Sequence, residues 1–169
     1  MTAKVCPILY FCQKKVLYSK EEAKRLKENF WTTFGQYMSV VPSADYEKVN
    51  WVNYKTGIKT LYFRLEATNK TASIYIEITH PDDAIRQLMF DQFKELKNVF
   101  SSTVAEDWEW DEVYYDENGK KTARISTSIA KISVFNKEHW PNLISFFKPR
   151  IIALDEFWSM AKYSFDIFK

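Results

Sequence analysis

Between residues 59 and 79 apolar and polar positions alternate strictly. Leu61, Phe63, Leu65 and Ala67 precede Asn69-Lys70, and Ala72, Ile74, Ile76 and Ile78 follow it. Side chains of a strand point alternately to its two faces, so this pattern predicts two half-buried strands, Lys59–Thr68 and Thr71–Thr79. Asparagine tolerates positive φ, which makes Asn69-Lys70 a two-residue turn and sets Thr68 opposite Thr71. The register then pairs Leu61 with Ile78, Phe63 with Ile76, Leu65 with Ile74 and Ala67 with Ala72 on an apolar face. Tyr62 with Glu77, Arg64 with Tyr75 and Glu66 with Ser73 fall on the other, amphipathic face.

The rest of the chain is read in the same way. Ser19 with Glu22 three residues on is a capping box, and Ala23, Leu26, Phe30, Phe34, Tyr37 and Met38 follow at helical spacing. This predicts a helix over about Lys20–Met38, a loop over Val40–Lys48 and a strand at Val49–Tyr54. Pro81, Asp82 and Asp83 fit the first turn of a helix reaching Ser102. Asn118-Gly119 predicts a second hairpin, Trp108–Tyr115 with Thr122–Ile132. Its apolar face takes Trp108, Trp110, Tyr114, Ala123, Ile125 and Ile129, with Glu112 as the one polar intruder, and Asp111, Arg124, Ser126 and Ser128 fall opposite. Asn136 caps a last helical region in which Pro149 predicts a break near Lys148, with the final helix running over about Pro149–Phe168.

The expected fold is therefore α+β: a single antiparallel or mixed sheet of five to six strands, built from two hairpins and flanked by three to four helices. Residues 18–169 form one domain, and residues 1–17 are an N-terminal extension open to three readings: a short strand, a loose arm or translated upstream sequence. Composition agrees, with 46% hydrophobic residues, 27% charged and a net charge of +2, which excludes a strongly basic polyanion-binding protein but leaves local patches open. Cys6 and Cys12 suit a reducing cytoplasm rather than a disulfide framework, and no run has the length of a membrane helix.

Gly35, Gly57 and Gly119 are the three glycines, and no phosphate-binding loop or dinucleotide fingerprint can be written with them. His80 and His139 sit at helix starts without a triad or zinc motif around them, so no metal and no cofactor is expected. Lys148, Arg150, Lys131 and Arg124 would make a basic patch if the fold gathered them. The helix–three-strand–helix–strand order resembles restriction-endonuclease-like nucleases. There a strand carries Glu-x-Lys; here Tyr75-Ile76-Glu77-Ile78-Thr79 offers Glu77 with threonine in the lysine position, and Glu66 is the nearest second carboxylate. The alternative for that face is binding: Arg64 between Tyr62 and Tyr75, with Glu77 and Arg124 nearby, could hold a base, a phosphate or a protein side chain.

Four segments carry a wider resemblance: Phe30–Met38, Trp51–Gly57, Ser133–Pro141 and Phe146–Trp158. Over about Tyr18–Phe168 the chain resembles the bacterial domain-of-unknown-function family 4268, in a compact form similar to that of Bacteroidetes proteins. Longer members set such a domain behind nuclease-like or other N-terminal domains, which implies a link to restriction and defence, but the resemblance transfers no catalytic residue. The leading expectation is a cytoplasmic, non-catalytic interaction module with a protein or nucleic-acid partner, accessory to nucleic-acid handling or defence. Two alternatives stand beside it: a degenerate metal-dependent nuclease using Glu66 and Glu77, and a structural or oligomerising protein anchored through Trp31 or Trp158. Oligomeric state is left open.

Overall fold

A computed structural model describes residues 18–169. The three readings of residues 1–17 lie outside the described residues. The elements run α1 (Lys20–Met38), β1 (Leu61–Ala67), β2 (Thr71–Ile78), α2 (Asp83–Glu95), α3 (Lys97–Val104), β3 (Glu109–Tyr115), β4 (Lys121–Ala130) and α4 (Trp140–Ala161). A 3-10 turn at Lys137–His139 leads into α4, and another at Lys162–Phe168 follows it.

The sheet has four antiparallel strands in the order β1-β2-β4-β3, not five or six. The expected strand at Val49–Tyr54 is irregular chain. The Asn50 carboxamide oxygen accepts from the backbone N–H of Val52 at 3.1 Å and of Asn53 at 3.0 Å, curling the segment into a turn. Trp51 then turns inward, 2% exposed, and its indole N–H donates to the Val41 carbonyl.

The first hairpin has the expected register at every pair from Leu61↔Ile78 to Ala67↔Ala72. Its apolar face joins Ala123 and Ile125 of β4 beneath the helices in one core that includes Phe30, Phe34, Phe93, Phe147 and Phe157. The rings meet mostly edge-on or tilted, as Phe100 does against Trp108, Trp110 and Phe157, which suits aromatic quadrupoles. The aromatic content is thus largely core.

Several helix boundaries differ from the expected ones, and the last α-helix stops at Ala161 rather than at Phe168, the remainder being 3-10. Asp82 caps α2 by accepting from the Ile85 N–H, which puts Pro81 outside the helix. The helix expected to reach Ser102 turns at Leu96 into a separate α3, which ends on Ala105 in the left-handed region. The break expected at Lys148 is absent, because α4 runs through Pro149. There the Arg150 guanidinium donates to the Phe146 carbonyl at 2.8 Å, serving a carbonyl next to the one the proline leaves without a partner.

The loop between α1 and β1 is tied to α4 as well as to the start of β1. Asp155, 3% exposed, accepts from the Ala44 N–H and from the Tyr54 hydroxyl, both at 2.6 Å. Burial first, and the bond to Asp155 second, push the Tyr54 phenol well above the usual tyrosine range. Trp158 donates to the Thr56 carbonyl, and Lys162 pairs with Asp45. No helix of the described residues is long and apolar enough to cross a membrane.

Candidate functional site

The helices cover one face of the sheet and leave the other open. Strand register fixes what that open face carries: Tyr62, Arg64 and Glu66 from β1, Ser73, Tyr75 and Glu77 from β2, Arg124 and Ser126 from β4, and Glu109 and Asp111 from β3. Tyr114 joins them, contrary to the sequence expectation. Asp111 pairs with Arg124 and Tyr114 with Thr122, so three residues of β3 span two of β4 and a β-bulge lies between. The bulge moves the Tyr114 ring from the Trp110 face to the Arg124 face. Glu112, the polar intruder, keeps its expected side and pairs with Lys94 of α2.

Arg124 is the centre of this face. Its guanidinium carbon lies 3.9 Å from the Tyr75 ring centroid and 3.7 Å from that of Tyr114. One terminal nitrogen donates to Glu77 Oε1 at 3.0 Å, while Nε is buried without an acceptor. Arg64 Nε reaches the other oxygen of Glu77, Oε2, at 3.4 Å, and its guanidinium stacks over Tyr62 at 4.3 Å. The Tyr75 hydroxyl donates to Glu66 Oε2 at 3.3 Å. Burial, and next the Glu66 charge, hold the Tyr75 phenol well above its ordinary range. The structure therefore brings together all five expected binding residues, Tyr62, Arg64, Tyr75, Glu77 and Arg124. Glu66 and Glu77 share the face too, but both Glu77 oxygens are engaged by arginines, and the described residues hold no cluster of three or more metal-ligating side chains.

Two grooves meet at Arg64. One, of about 330 Å³, lies over the sheet face and is lined by Glu66, Glu77, Asp116 and Glu117 as well as Arg64 and Arg124. With Glu109 and Asp111 beside it, this face holds two arginines against six carboxylates. The other, also about 330 Å³, follows the outer edge of β1. Tyr62–Leu65 form one wall, Val52–Lys55 the opposite wall, and Trp31 of α1 completes it. No carboxylate lines it. Lys55, the Asn53 carboxamide and the Trp31 indole N–H have no hydrogen-bond acceptor among the described residues, nor do the terminal nitrogens of Arg64, whose side chain is 48% exposed.

Sequence reasoning missed this second groove. Asn53 comes from the segment read as a strand, Lys55 from just beyond its end and Trp31 from the first helix, and nothing in their local pattern set them beside β1. The basic patch drawn from Lys148, Arg150, Lys131 and Arg124 is not assembled. Arg150 forms two bonds to Glu106, at 2.8 and 2.6 Å, Lys148 meets Tyr37, and Arg124 binds Glu77. Trp158, named as an interface anchor, is 2% exposed.

The model of the family described as domain of unknown function (DUF4268) matches residues 26–162, and the chain belongs to that family. Neither a curated protein nor a solved structure matches it.

Proposed function

We propose that this member of the family is a non-catalytic binding module, and that its ligand is anionic and seats in the groove along the β1 edge. One observation carries the reading. Four side chains with unused donors, Trp31, Asn53, Lys55 and Arg64, converge on a groove whose lining has no carboxylate. Lys55 and Arg64 are exposed, and solvent-facing donors gathered in a cleft without carboxylates favour a ligand that supplies acceptors. Arg64 is held in place by Glu77 and Tyr62, so its free nitrogens are positioned before a ligand arrives. The acid-rich sheet face next to it repels a polyanion and would confine one to the β1 edge.

The test is fluorescence anisotropy with labelled poly-glutamate and labelled single-stranded DNA, each titrated at several salt concentrations. Binding should weaken as salt rises, and Lys55→Ala with Arg64→Ala should reduce affinity by about tenfold or more while leaving the urea midpoint within a small shift. Undiminished affinity in that double variant would remove the groove from the reading. The nuclease alternative gains no support from Glu77, whose carboxylate is committed to two guanidinium groups.

A further inference from the structure

The backbone of β1 narrows the ligand. In the first hairpin the Thr68 N–H bonds to the Thr71 carbonyl and the Thr79 N–H to the Thr60 carbonyl, so even-numbered residues of β1 exchange hydrogen bonds with β2. Odd-numbered residues send their N–H and C=O groups outward. At Leu61 both are satisfied: its N–H donates to the Ile58 carbonyl at 3.3 Å, and its carbonyl accepts from the Thr56 hydroxyl at 2.8 Å. At Phe63 and Leu65 the outward groups meet no partner among the described residues, and both residues line the β1-edge groove. The sheet ends here because β1 is an outer strand.

We infer that the groove takes an extended acidic peptide segment, which adds as a further strand beside β1. This rests on the anionic-ligand reading above. Main-chain bonds would form to Phe63 and Leu65, and alternate carboxylates would reach Lys55 and Arg64. The open main-chain groups of Phe63 and Leu65 favour a peptide over stacked bases, which bring no strand backbone to pair with them. Tyr54 stacks on Phe63, Tyr62 lies under the Arg64 guanidinium, and Trp31 packs edge-on against Phe30 and Phe34, so these rings are already engaged within the protein. An open strand edge is ordinarily protected by charge or covered. The charged residues lining the groove, Lys55 and Arg64, are both positive, which selects against basic segments and for acidic ones.

The experiment uses a fluorescein-labelled decapeptide of alternating glutamate and valine, a version with lysine for glutamate, and two backbone N-methylated versions, one blocking each edge of the extended peptide. Strand addition uses one edge of the peptide, so one methylated version should lose about tenfold or more in affinity and the other should bind as the parent does. In the amide spectrum of the isotopically labelled protein, Phe63 and Leu65 should shift and gain protection from exchange, and the lysine peptide should leave both unchanged. Equal binding by both methylated versions would overturn strand addition while leaving an anion groove. Binding of single-stranded DNA without binding of the acidic peptide would overturn the peptide and keep the anionic reading. No binding by any of these anions would overturn both.

Discussion

Tyr54 and Asp155 lie 101 positions apart in the chain and meet at 2.6 Å, phenol to carboxylate. Through this bond the irregular segment that walls the β1-edge groove is fastened to α4. Tyr54→Phe keeps the ring stacked on Phe63 but leaves the buried Asp155 with the Ala44 N–H as its remaining donor. Losing one hydrogen bond to a buried carboxylate should destabilise the fold by about 1–3 kcal/mol, read as a lower urea midpoint at unchanged slope. A midpoint equal to that of the parent would show that the bond does not hold the loop.

The same phenol makes stability depend on alkaline pH. Tyr54 and Tyr75 both have raised folded-state pKa values, chiefly through burial, so the folded chain keeps protons that the unfolded chain gives up. Their contribution is fully present below the unfolded tyrosine pKa of about 10 and is lost as pH rises from there toward the folded values. The thermal midpoint should fall above about pH 10, and Tyr54→Phe should flatten that fall. A slope unaltered in the variant would assign the loss to other groups.

Local pattern made the first hairpin legible down to each pair, because alternation is strict from Leu61 to Ile78 and one turn sets the register. Four of the five residues named for the open face came with it, and Arg124 came from the second hairpin. What was not legible was set by contacts distant in sequence. Val49–Tyr54 has strand-like composition, yet Asn50 turns it and Trp51 and Tyr54 anchor it to partners elsewhere. That misreading hid the second groove, since its far wall is this segment. Tyr114 was assigned to the wrong face because strict alternation carries no sign of an inserted residue in β3. Pro149 fits within α4 because tertiary packing outweighs an interior proline's penalty of about 3 kcal/mol.

Gly35 stands in the interior of α1, where glycine loses more backbone freedom on folding than alanine. A Cβ built there would meet Val52 Cγ2 at 3.5 Å, an ordinary van der Waals contact. Gly35→Ala should raise stability by about 0.5–1 kcal/mol, measured as a higher urea midpoint. A destabilised variant would mean that α1 and the Val52 segment require a closer approach than this spacing.

Arg124 receives its second ring from the β3 bulge. With Tyr75 on one side, Tyr114 on the other and Glu77 in front, the guanidinium is held by stacking and by charge together. Glu77 is 8% exposed, so Arg124→Met would leave its carboxylate with the weaker Arg64 contact at 3.4 Å. Removing one partner of a buried pair should cost about 3–5 kcal/mol, whereas Arg124→Met combined with Glu77→Leu should recover most of that loss. Arg124→Lys keeps the charge but not the planar group between the rings, and should fall between the two. If Arg124→Met cost less than about 1 kcal/mol in urea unfolding, the arginine would not organise this face. The position of Arg64, which Glu77 also holds, would then need another origin. A Tyr114→Phe variant separates ring from hydroxyl: retained stability is expected, because the contact with Arg124 is to the ring.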